Sequence, residues 1–400
     1  MFATIIFVAP PLFAQNKHTI SGTVKDKGNG ESLAGASVKI LNMDGGTLTN
    51  SYGFFSLTLP ESNYILIVSY VGYQTFSEKI NLNKDVPITV ELTVSGTLDE
   101  IVIKADKKND NITKPLMGME KLDIKMINQL PVIFGEKDIL KSIQLLPGIK
   151  SAGEGNSGFY VRGGSADQNL ILLDEAPVYN ASHLLGFFST FNSDAIKDIN
   201  LYKGGMPAQY GGRLSSVVDI KMKDGDNKNY DVNGGLGLIS SRLNVQGPIV
   251  KDKGSFIISG RRSYADLFLK LSSDSALNNN TLYFYDLNLK ANYKLGQKDK
   301  IYLSGYFGRD VLAFGETFAS DWGNKTGTLR WNHVLNNKLF SNTSLIYSDY
   351  SYKIKINSGT DKFVITSQIQ DVNAKQDFDF FLNKNNKIKF GANVIRHNVS

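Results

Sequence analysis

From about residue 230 to residue 400, apolar and polar residues alternate along the chain. The clearest segment is TLYFYDLNLKANYKL, residues 281–295, and KIKFGANV, residues 387–394, repeats its pattern. A period of two predicts β-strands whose two faces carry different kinds of side chain. In the first segment one face carries Tyr283, Tyr285, Leu287, Leu289, Ala291, Tyr293 and Leu295, and the other carries Asp286, Asn288, Lys290, Asn292 and Lys294.

KIYLSGYF and TLRWNHVL are weaker copies, so residues 230–400 predict about eight strands of this kind. Each approaches the roughly 9 to 11 residues that cross a bilayer, with aromatic residues near the strand ends. The same alternation is typical of a soluble antiparallel sandwich. Periodicity alone leaves both interpretations open.

Residues 18–94 predict a smaller all-β unit. The segments HTISGTVKD, ASVKILN, GFFSLTLP, NYILIVSYVGY and PITVEL alternate, and DKGNG, MDGG and PESN between them are rich in turn residues. Short strands at this spacing favour a β-sandwich.

Residues 115–224 mix helix and strand patterns. EKDILKSIQLLPG has apolar residues at helical spacing and ends in Pro147-Gly148, which predicts a helix. GFYVRGG and QNLILLDEAPVY predict strands, with a turn near Asp174-Glu175. NSDAIKDI predicts a short helix capped by Ser193, and INLYKGG and SSVVDIKM predict further strands.

The first residues, MFATIIFVAPPLFAQ, are typical of a secretory signal peptide, residues 1–14, cleaved after Ala14. No Lys or Arg precedes Ile5, which leaves open a start upstream of Met1. The alternative is a buried N-terminal strand, which Pro10-Pro11 would interrupt.

Residues 95–114 predict a mobile linker, because KADKKNDNITK is charged and has no periodicity. Within it, DEIVIKA contains a strand-like Ile-Val-Ile run that is too short to be stable alone.

Composition narrows the function classes. The chain has 37 Gly, 10 Pro and 11% aromatic residues, which favours β structure with many turns. No stretch approaches the roughly 20 apolar residues of a spanning helix, so entry into a membrane requires a closed barrel. The net charge is +6, but the chain has no run of basic residues, so we expect no nucleic-acid partner. The absence of cysteine excludes disulfides and thiolate metal sites.

Motifs for enzymatic chemistry are missing. The four histidines have no HExxH or HxxE partner, DGDNKN lacks the Gly and Glu of a calcium loop, and no G-x-S-x-G occurs. GEGNSG satisfies G-x-G-x-x-G, but a strand-like segment follows where a nucleotide-binding helix should begin. We therefore expect no cofactor and no enzyme activity.

Two segments carry a family resemblance. LLPGIKSAGEGNSGFYVRGGSADQNLILLDEAPVYN, followed by DAIKDINLYKGGMPAQYGGRLSSVVDIKMKDG, resembles the plug domain of TonB-dependent outer-membrane receptors over residues 115–224. SGTVKD, LAGASVKI, TNSYGFFSLTLP and YILIVSYVGYQ resemble the carboxypeptidase regulatory-like domain, a transthyretin-like sandwich. Their order before barrel-like strands is similar to that of receptors of the Bacteroidetes group.

The resemblance implies three kinds of site residue. DEIVIKA resembles a TonB box, which TonB takes up by strand addition at a sheet edge; its residues are Asp99, Glu100, Ile101, Val102, Ile103, Lys104 and Ala105. Arg162 and Arg213 are implied as candidates that hold the plug to carboxylates of the barrel wall. Gly153, Glu154, Gly155 and Asn156 are implied as an apical plug loop facing the ligand.

The implied fold is mainly β: a transthyretin-like sandwich at 18–94, an α/β plug at 115–224 and the first strands of a transmembrane antiparallel barrel at 230–400. The implied location is the cell outer membrane, with the N-terminal domains on the periplasmic side. The implied partners are TonB and outer-membrane lipid, with a surface lipoprotein as a further candidate. A siderophore, an oligosaccharide and a peptide remain open as the imported ligand.

A barrel of about 22 strands needs on the order of 450 residues, more than follow the plug region here. We therefore expect either an N-terminal part of a longer receptor or a broken gene. Two other functions compete with transport. One is a secreted or surface β-rich adhesin that binds glycan, and the other is a carboxypeptidase-linked enzyme, which the missing zinc ligands disfavour.

Overall fold

The computed structural model describes residues 16–95, 118–123, 138–153, 158–271 and 275–400. They form an N-terminal sandwich, a central α/β unit and a long antiparallel sheet. The predicted signal peptide, the segment 99–105 and residues 154–156 lie outside the described residues.

The sandwich is built from the predicted alternating segments and two strands that the pattern did not predict. Its strands are β1 Lys17–Asp26, β2 Ser37–Ile40, β3 Gly46–Leu48, β4 Phe54–Pro60, β5 Ser62–Ser69, β6 Phe76–Leu82 and β7 Val86–Leu92. They pair in the orders β4-β1-β7 and β3-β2-β5-β6. Alternate apolar side chains such as Ile20, Leu57 and Val90 are fully buried between the two sheets.

The central unit contains a mixed five-stranded sheet. Its elements are β8 Met119–Asp123, α1 Ile139–Gln144, β9 Ile149–Ser151, β10 Phe159–Val161, β11 Asn169–Leu173, β12 Ala176–Pro177, β13 Ser182–His183, β14 Phe188–Ser189, β15 Ile196–Tyr202 and β16 Ser216–Met222. Single-turn 3₁₀ helices span Ala166–Gln168 and Leu184–Gly186. The main sheet has the order β12-β11-β16-β15-β8, in which β11 and β16 are parallel.

Helix α1 confirms the predicted helical pattern. The Asp138 side chain caps it by accepting a hydrogen bond of 3.0 Å from the backbone N–H of Lys141. Ile139, Leu140 and Ile143 are buried in the core against the five-stranded sheet. Pro147 and Gly148 follow the end of the helix, as their turn chemistry predicts.

The second predicted helix, NSDAIKDI with Ser193 as its cap, is wrong. A turn occupies residues 193–195, and β15 begins at Ile196. The Asn192 side chain accepts the backbone N–H of Asp194, which satisfies a turn rather than a helix start. Pairing of β15 with both β8 and β16 buries Ile199 and outweighs the local helical signal.

The long sheet has nine strands in sequence order, and each pairs antiparallel with the next. They are β17 Asp231–Leu236, β18 Ser240–Val250, β19 Gly254–Ser263, β20 Thr281–Lys294, β21 Asp299–Phe314, β22 Phe318–Asn336, β23 Leu339–Ser358, β24 Asp361–Phe381 and β25 Lys387–Val399. Two short helices, α2 Ala265–Lys270 and α3 Ser275–Asn278, interrupt the connection from β19 to β20. Strands β22 to β24 have 19 to 21 residues, longer than the roughly 9 to 11 expected from bilayer thickness.

The polar face of this sheet is the buried one. On β20, Asn288 is 0% exposed and Lys290 5%, whereas Leu287 is 38% and Leu289 41% exposed. Strands β22 and β23 show the same pattern: Thr328 and Ser344 are buried, and their neighbours Leu329 and Leu345 are about half exposed. Strand β25 is exposed along its whole length. A water-soluble sandwich has the opposite arrangement, with apolar residues inside. The sheet therefore presents an apolar surface outward and packs its polar surface against the central unit.

Candidate functional site

A tight hairpin of the central unit carries two carboxylates toward the long sheet. β11 and β12 pair through Leu173 and Ala176, so Asp174 and Glu175 alone form the connection. Both have positive φ, +45° and +77°, as a type I′ turn requires. Asn-Gly is the usual choice at such positions, so this turn holds Asp and Glu in a conformation that costs about 1–3 kcal/mol per residue.

Both carboxylates meet cations of the long sheet. Lys290 Nζ on β20 lies 3.1 Å from Asp174 Oδ2 and 3.0 Å from Asp224 Oδ1. Arg330 Nε on β22 lies 2.9 Å from Glu175 Oε1. All five side chains are at most 10% exposed. The two strands of the long sheet are thus joined to the central unit by buried ion pairs.

The three carboxyl groups are held ionised. Burial alone would raise their pKa values, but neighbouring cations outweigh it. Arg330 holds the pKa of Glu175 well below its ordinary range, and Lys290 lowers the pKa of Asp174 and, most strongly, that of Asp224. Removing one partner of such a buried pair costs about 3–5 kcal/mol, because the other charge is left uncompensated.

A second charged cluster surrounds His183 at the end of β13. Its Nδ1 lies 2.7 Å from Asp310 Oδ2 and its Nε2 lies 3.2 Å from Asp286 Oδ2. The ring stacks on Phe284 with 4.2 Å between ring centroids. Arg261 donates from Nε and Nη2 to Asp286 at 2.9 and 2.6 Å and also donates to the Ser189 carbonyl oxygen at 2.7 Å. The cluster binds the central unit to strands β19, β20 and β21.

Further polar contacts, most of them between neutral groups, surround the two clusters. Across the boundary, Asn192 donates to Ser259 at 2.8 Å, Asn324 donates to the Asn180 carbonyl at 2.7 Å, Ser348 donates to the Pro177 carbonyl at 2.7 Å, and Arg242 pairs with Asp194 at 2.9 Å. One apolar cluster, of Leu184, Phe188 and Phe284, accompanies them. Most of the boundary can therefore exchange its partners for water if the two units separate.

The predicted arginines do not form ion pairs with the long sheet. Arg162 is exposed, and its φ of +50° confirms the unusual backbone that the adjacent glycines predicted. Arg213 is partly exposed and donates to the carbonyl oxygen of the adjacent Gly212 at 3.0 Å. Within the described ranges, no carboxylate lies within ion-pair distance of either guanidinium. At the Asp174-Glu175 hairpin the charges run in the opposite sense: the central unit supplies the carboxylates and the sheet supplies Lys290 and Arg330.

Of the predicted apical loop, Gly153 is exposed with a φ of +113°, and Glu154, Gly155 and Asn156 lie outside the described residues. The Asp99–Ala105 segment also lies outside them, so both assignments stay predictions. Sequence reasoning missed Glu175, His183 and Arg330 as site residues. The available signal was an Asp-Glu pair at a hairpin position that normally takes Asn-Gly.

The described residues contain no group of three or more His, Cys, Asp or Glu side chains that could hold a metal ion. In the same part of the chain, no helix is both long and apolar enough to cross a membrane.

Two family models match the chain. The CarboxypepD_reg-like domain matches residues 20–103, and the TonB-dependent Receptor Plug Domain matches residues 132–218. The first match runs into the predicted TonB box at 99–105. The chain therefore contains a CarboxypepD_reg-like domain followed by a TonB-dependent receptor plug domain, and the predicted resemblance is confirmed. We call the central unit the plug and the nine-stranded sheet the barrel sheet.

The chain is also similar to curated TonB-dependent receptors. TonB-dependent receptor SusC of Bacteroides thetaiotaomicron is 27% identical over 241 residues, 56% of this chain and 22% of that protein. TonB-dependent receptor P39 of Formosa agariphila is 23% identical over 235 residues, 55% of this chain and 21% of that protein. The chain thus spans about a fifth of the length of these curated relatives.

Solved structures agree on the fold. The siderophore receptor PirA of Acinetobacter baumannii has a TM-score of 0.55 and 18% identity over 75% of this chain and 50% of its own. A mutant of the ferric enterobactin receptor PfeA of Pseudomonas aeruginosa has a TM-score of 0.54 and 16% identity over 73% of this chain and 50% of its own. At these identities the likeness shows the fold alone, and it confirms the predicted mainly β class with a plug beside barrel strands.

Proposed function

We propose that this chain acts in an outer-membrane transporter whose plug blocks a barrel until energy arrives through TonB. The observation that carries the proposal is the inside-out barrel sheet, with polar Asn288 and Lys290 buried against the plug and Leu287 and Leu289 exposed. An apolar outer surface of this kind suits lipid. It disfavours the glycan-binding adhesin, whose sheet would have to dissolve in water.

The polar plug boundary supports movement of the plug. If the boundary were apolar, movement of the plug would expose apolar surface to water, at a free-energy cost proportional to the area exposed. Ion pairs such as those of Lys290 and Arg330 can rehydrate instead, so they hold the plug firmly at rest and release it under force. The proposal assigns no enzymatic step and no cofactor to the chain.

The position of the sandwich supports a periplasmic location for the N-terminal domains. It contacts the end of the barrel sheet at which all four connections between strands have two to five residues: Asn337 donates to Asp85 at 2.8 Å, and Phe381 packs on Phe54. The opposite end has three connections of two or three residues and also the long connection with two helices, residues 264–280. In outer-membrane barrels short turns face the periplasm and longer loops face outward.

Energy input is proposed to enter at Asp99–Ala105, through strand addition to the periplasmic domain of TonB. Backbone hydrogen bonds would supply most of the affinity, so the segment tolerates sequence variation. The ligand class stays open among siderophore, oligosaccharide and peptide. A surface lipoprotein is a further candidate partner.

The test deletes Asp99–Ala105 from the full-length receptor in its host. We expect surface binding of the ligand to persist and uptake to stop. The probes are a radiolabelled ferric siderophore, a fluorescent oligosaccharide and a fluorescent peptide, and binding of the purified receptor to the host's TonB periplasmic domain is measured in parallel.

The matched control deletes residues 107–113, which shortens the linker by the same seven positions and leaves DEIVIKA intact. We expect the control to bind TonB and to import. Uptake that survives loss of 99–105, or equal loss from both deletions, contradicts the box assignment.

A further inference from the structure

The turn between β3 and β4, sequence TNSYGFF, is a rigid projection of the sandwich. The Asn50 side-chain oxygen accepts the backbone N–H groups of Tyr52 and Phe54, each at 2.9 Å. Gly53 donates its N–H to the Asn50 carbonyl at 3.0 Å and has a φ of +79°, a conformation that glycine adopts without strain. Three hydrogen bonds thus fix the direction in which the aromatic side chains point.

Those aromatic side chains pack against aromatic side chains of the barrel sheet. Phe54 is 2% exposed and stacks on Phe340 at 5.5 Å, with Phe381 edge-on at 5.6 Å. Tyr52 also stacks on Phe340, with 5.4 Å between the ring centroids. Beside them Asn50 donates to Asp379 at 3.0 Å. The sandwich is therefore anchored to β23 and β24 by a packed aromatic cluster.

Tyr52 extends beyond the anchor to the plug. Its hydroxyl group donates to Glu175 Oε1 at 2.9 Å, the oxygen that Arg330 also approaches at 2.9 Å. The Arg330 guanidinium lies over the Tyr52 ring, 5.5 Å from its centroid. Burial and the Glu175 charge raise the pKa of Tyr52 well above its ordinary value, so the phenol stays protonated and donates. One carboxylate is shared by sandwich, plug and barrel sheet.

A second contact ties the sandwich to the far side of the plug sheet. Lys197 on β15 lies 3.2 Å from Glu31 and donates to the Ser32 carbonyl at 2.7 Å. Glu31 also accepts the backbone N–H of Asp224, the residue that pairs with Lys290. Both ends of the plug's buried charge network are therefore touched by the sandwich.

We propose that the sandwich is a latch on the plug: its docking at the Tyr52 turn and the seating of the plug in the barrel stabilise each other through Glu175. This rests on the proposed function in so far as the plug must move. The bound sandwich adds a hydrogen bond from Tyr52 to Glu175 in its seated position. When the plug hairpin leaves Arg330, Tyr52 loses its acceptor, so either event weakens the other.

The test measures amide hydrogen exchange in the full-length receptor, with no ligand and no TonB present. In Tyr52→Phe we expect exchange in the hairpin, residues 171–178, to rise about tenfold or more, the loss expected for a hydrogen bond to a charged group. Tyr64→Phe is the matched control, because its hydroxyl donates to Pro60 within the sandwich at 2.9 Å. Equal hairpin exchange in Tyr52→Phe and wild type overturns the latch.

If docking of the sandwich and seating of the plug stabilise each other, loosening the plug must also loosen the sandwich, and this is the second arm of the test. Lys290→Met weakens plug seating through Asp174 and Asp224, so exchange in the Tyr52 turn, residues 50–54, should rise as well. Lys294→Met, on the same face of the same strand, should leave the turn unchanged. A turn that stays protected when the plug loosens shows that the two events are independent.

Residues 1–400 contain no cysteine, which allows a third arm based on a defined cross-link. A short bis-maleimide across D85C and N337C fastens the sandwich to the barrel sheet, and the uncross-linked double variant is the baseline. We expect slower hairpin exchange only in the cross-linked form, and equal rates overturn the proposal. If the hydrogen-exchange results support the latch but the receptor without residues 99–105 still imports ligand, this inference stands and the proposed energy coupling through TonB is wrong.

Discussion

His183 of the plug and Asp310 of the barrel sheet form a buried ion pair, with 2.7 Å between Nδ1 and Oδ2. The backbone N–H of Leu184 donates to the other oxygen of the same carboxylate at 2.7 Å. Asp286 and Arg261 face the other edge of the ring, and the Tyr306 hydroxyl lies 3.3 Å from Nε2. Burial lowers the pKa of His183, but Asp310 and Asp286 outweigh it and leave the pKa raised.

This raised pKa gives plug seating a pH dependence. A histidine whose pKa is raised in the seated state stabilises that state fully below its ordinary pKa of about 6.5. The contribution is lost as the pH rises through the raised value. We expect hydrogen exchange of the plug segment 182–189, corrected for intrinsic rates, to increase as the pH passes above neutrality. His183→Gln should flatten this profile, and His18→Gln, in the sandwich, should retain it.

Neutralising Glu175 tests the hairpin contact directly. Glu175→Gln removes the charge opposite Arg330 while keeping the shape of the side chain, so we expect seating to weaken by about 3–5 kcal/mol. Exchange of residues 171–178 measures it, and Glu61→Gln, an exposed acid of the sandwich, is the control. Adding Arg330→Met should recover part of the loss, because no buried charge then remains unpaired. This account is contradicted if the double variant loses more plug stability than the two single variants lose together.

Lys290→Met should weaken the response to acid. In the wild type the pKa values of Asp174 and Asp224 are lowered, so their stabilisation is present above the ordinary pKa of about 3.9 and is lost as the pH falls further. Without Lys290 these pKa values are lowered less, because Arg330 still acts on Asp174 and Lys300 still acts on Asp224. The variant should therefore be less stable than the wild type at neutral pH, and the difference should shrink as the pH falls below about 3.9. Thermal unfolding at several pH values measures this difference.

The sequence predicts where the strands of this protein lie better than it predicts what surrounds them. Alternation in 281–295 located β20 and both of its faces, but a period of two is the same for a soluble and an inside-out sheet. Packing of Asn288 and Lys290 on the plug decides between them. The hairpin at Asp174-Glu175 was also predictable, because turn residues act locally. Its partners were not, since Arg330 is brought to Glu175 only by the fold.

Arg162 and Arg213 illustrate the same limit. The family resemblance implied a charged contact with the barrel wall, and the glycines beside Arg162 signalled unusual dihedrals. The dihedrals are a local property and were predicted; the contact depends on the direction of the side chain, which no motif determines.

Replacement of Arg162 by glycine should stabilise the plug. Its φ of +50° lies in the region that glycine adopts without strain, and its exposed side chain has no carboxylate partner among the described residues. We expect Arg162→Gly to gain about 0.5–1 kcal/mol, and Arg213→Ala to change stability by less than about 0.5 kcal/mol. Denaturant unfolding measures both. A loss of several kcal/mol from either would restore the arginines as plug contacts.

The orientation of the barrel sheet is tested by placing one charge at two depths on the same face. Leu289, near the middle of β20, is 41% exposed, and Leu295, just beyond the strand end, is 61% exposed. In a bilayer, lysine costs about 2–4 kcal/mol at the midplane and about 0–1 kcal/mol near the interface. Folding of full-length Leu289→Lys and Leu295→Lys receptors into lipid vesicles should therefore differ by a factor of ten or more. In water both positions are solvent-exposed, so equal and small effects of the two substitutions would favour the soluble adhesin over the transporter.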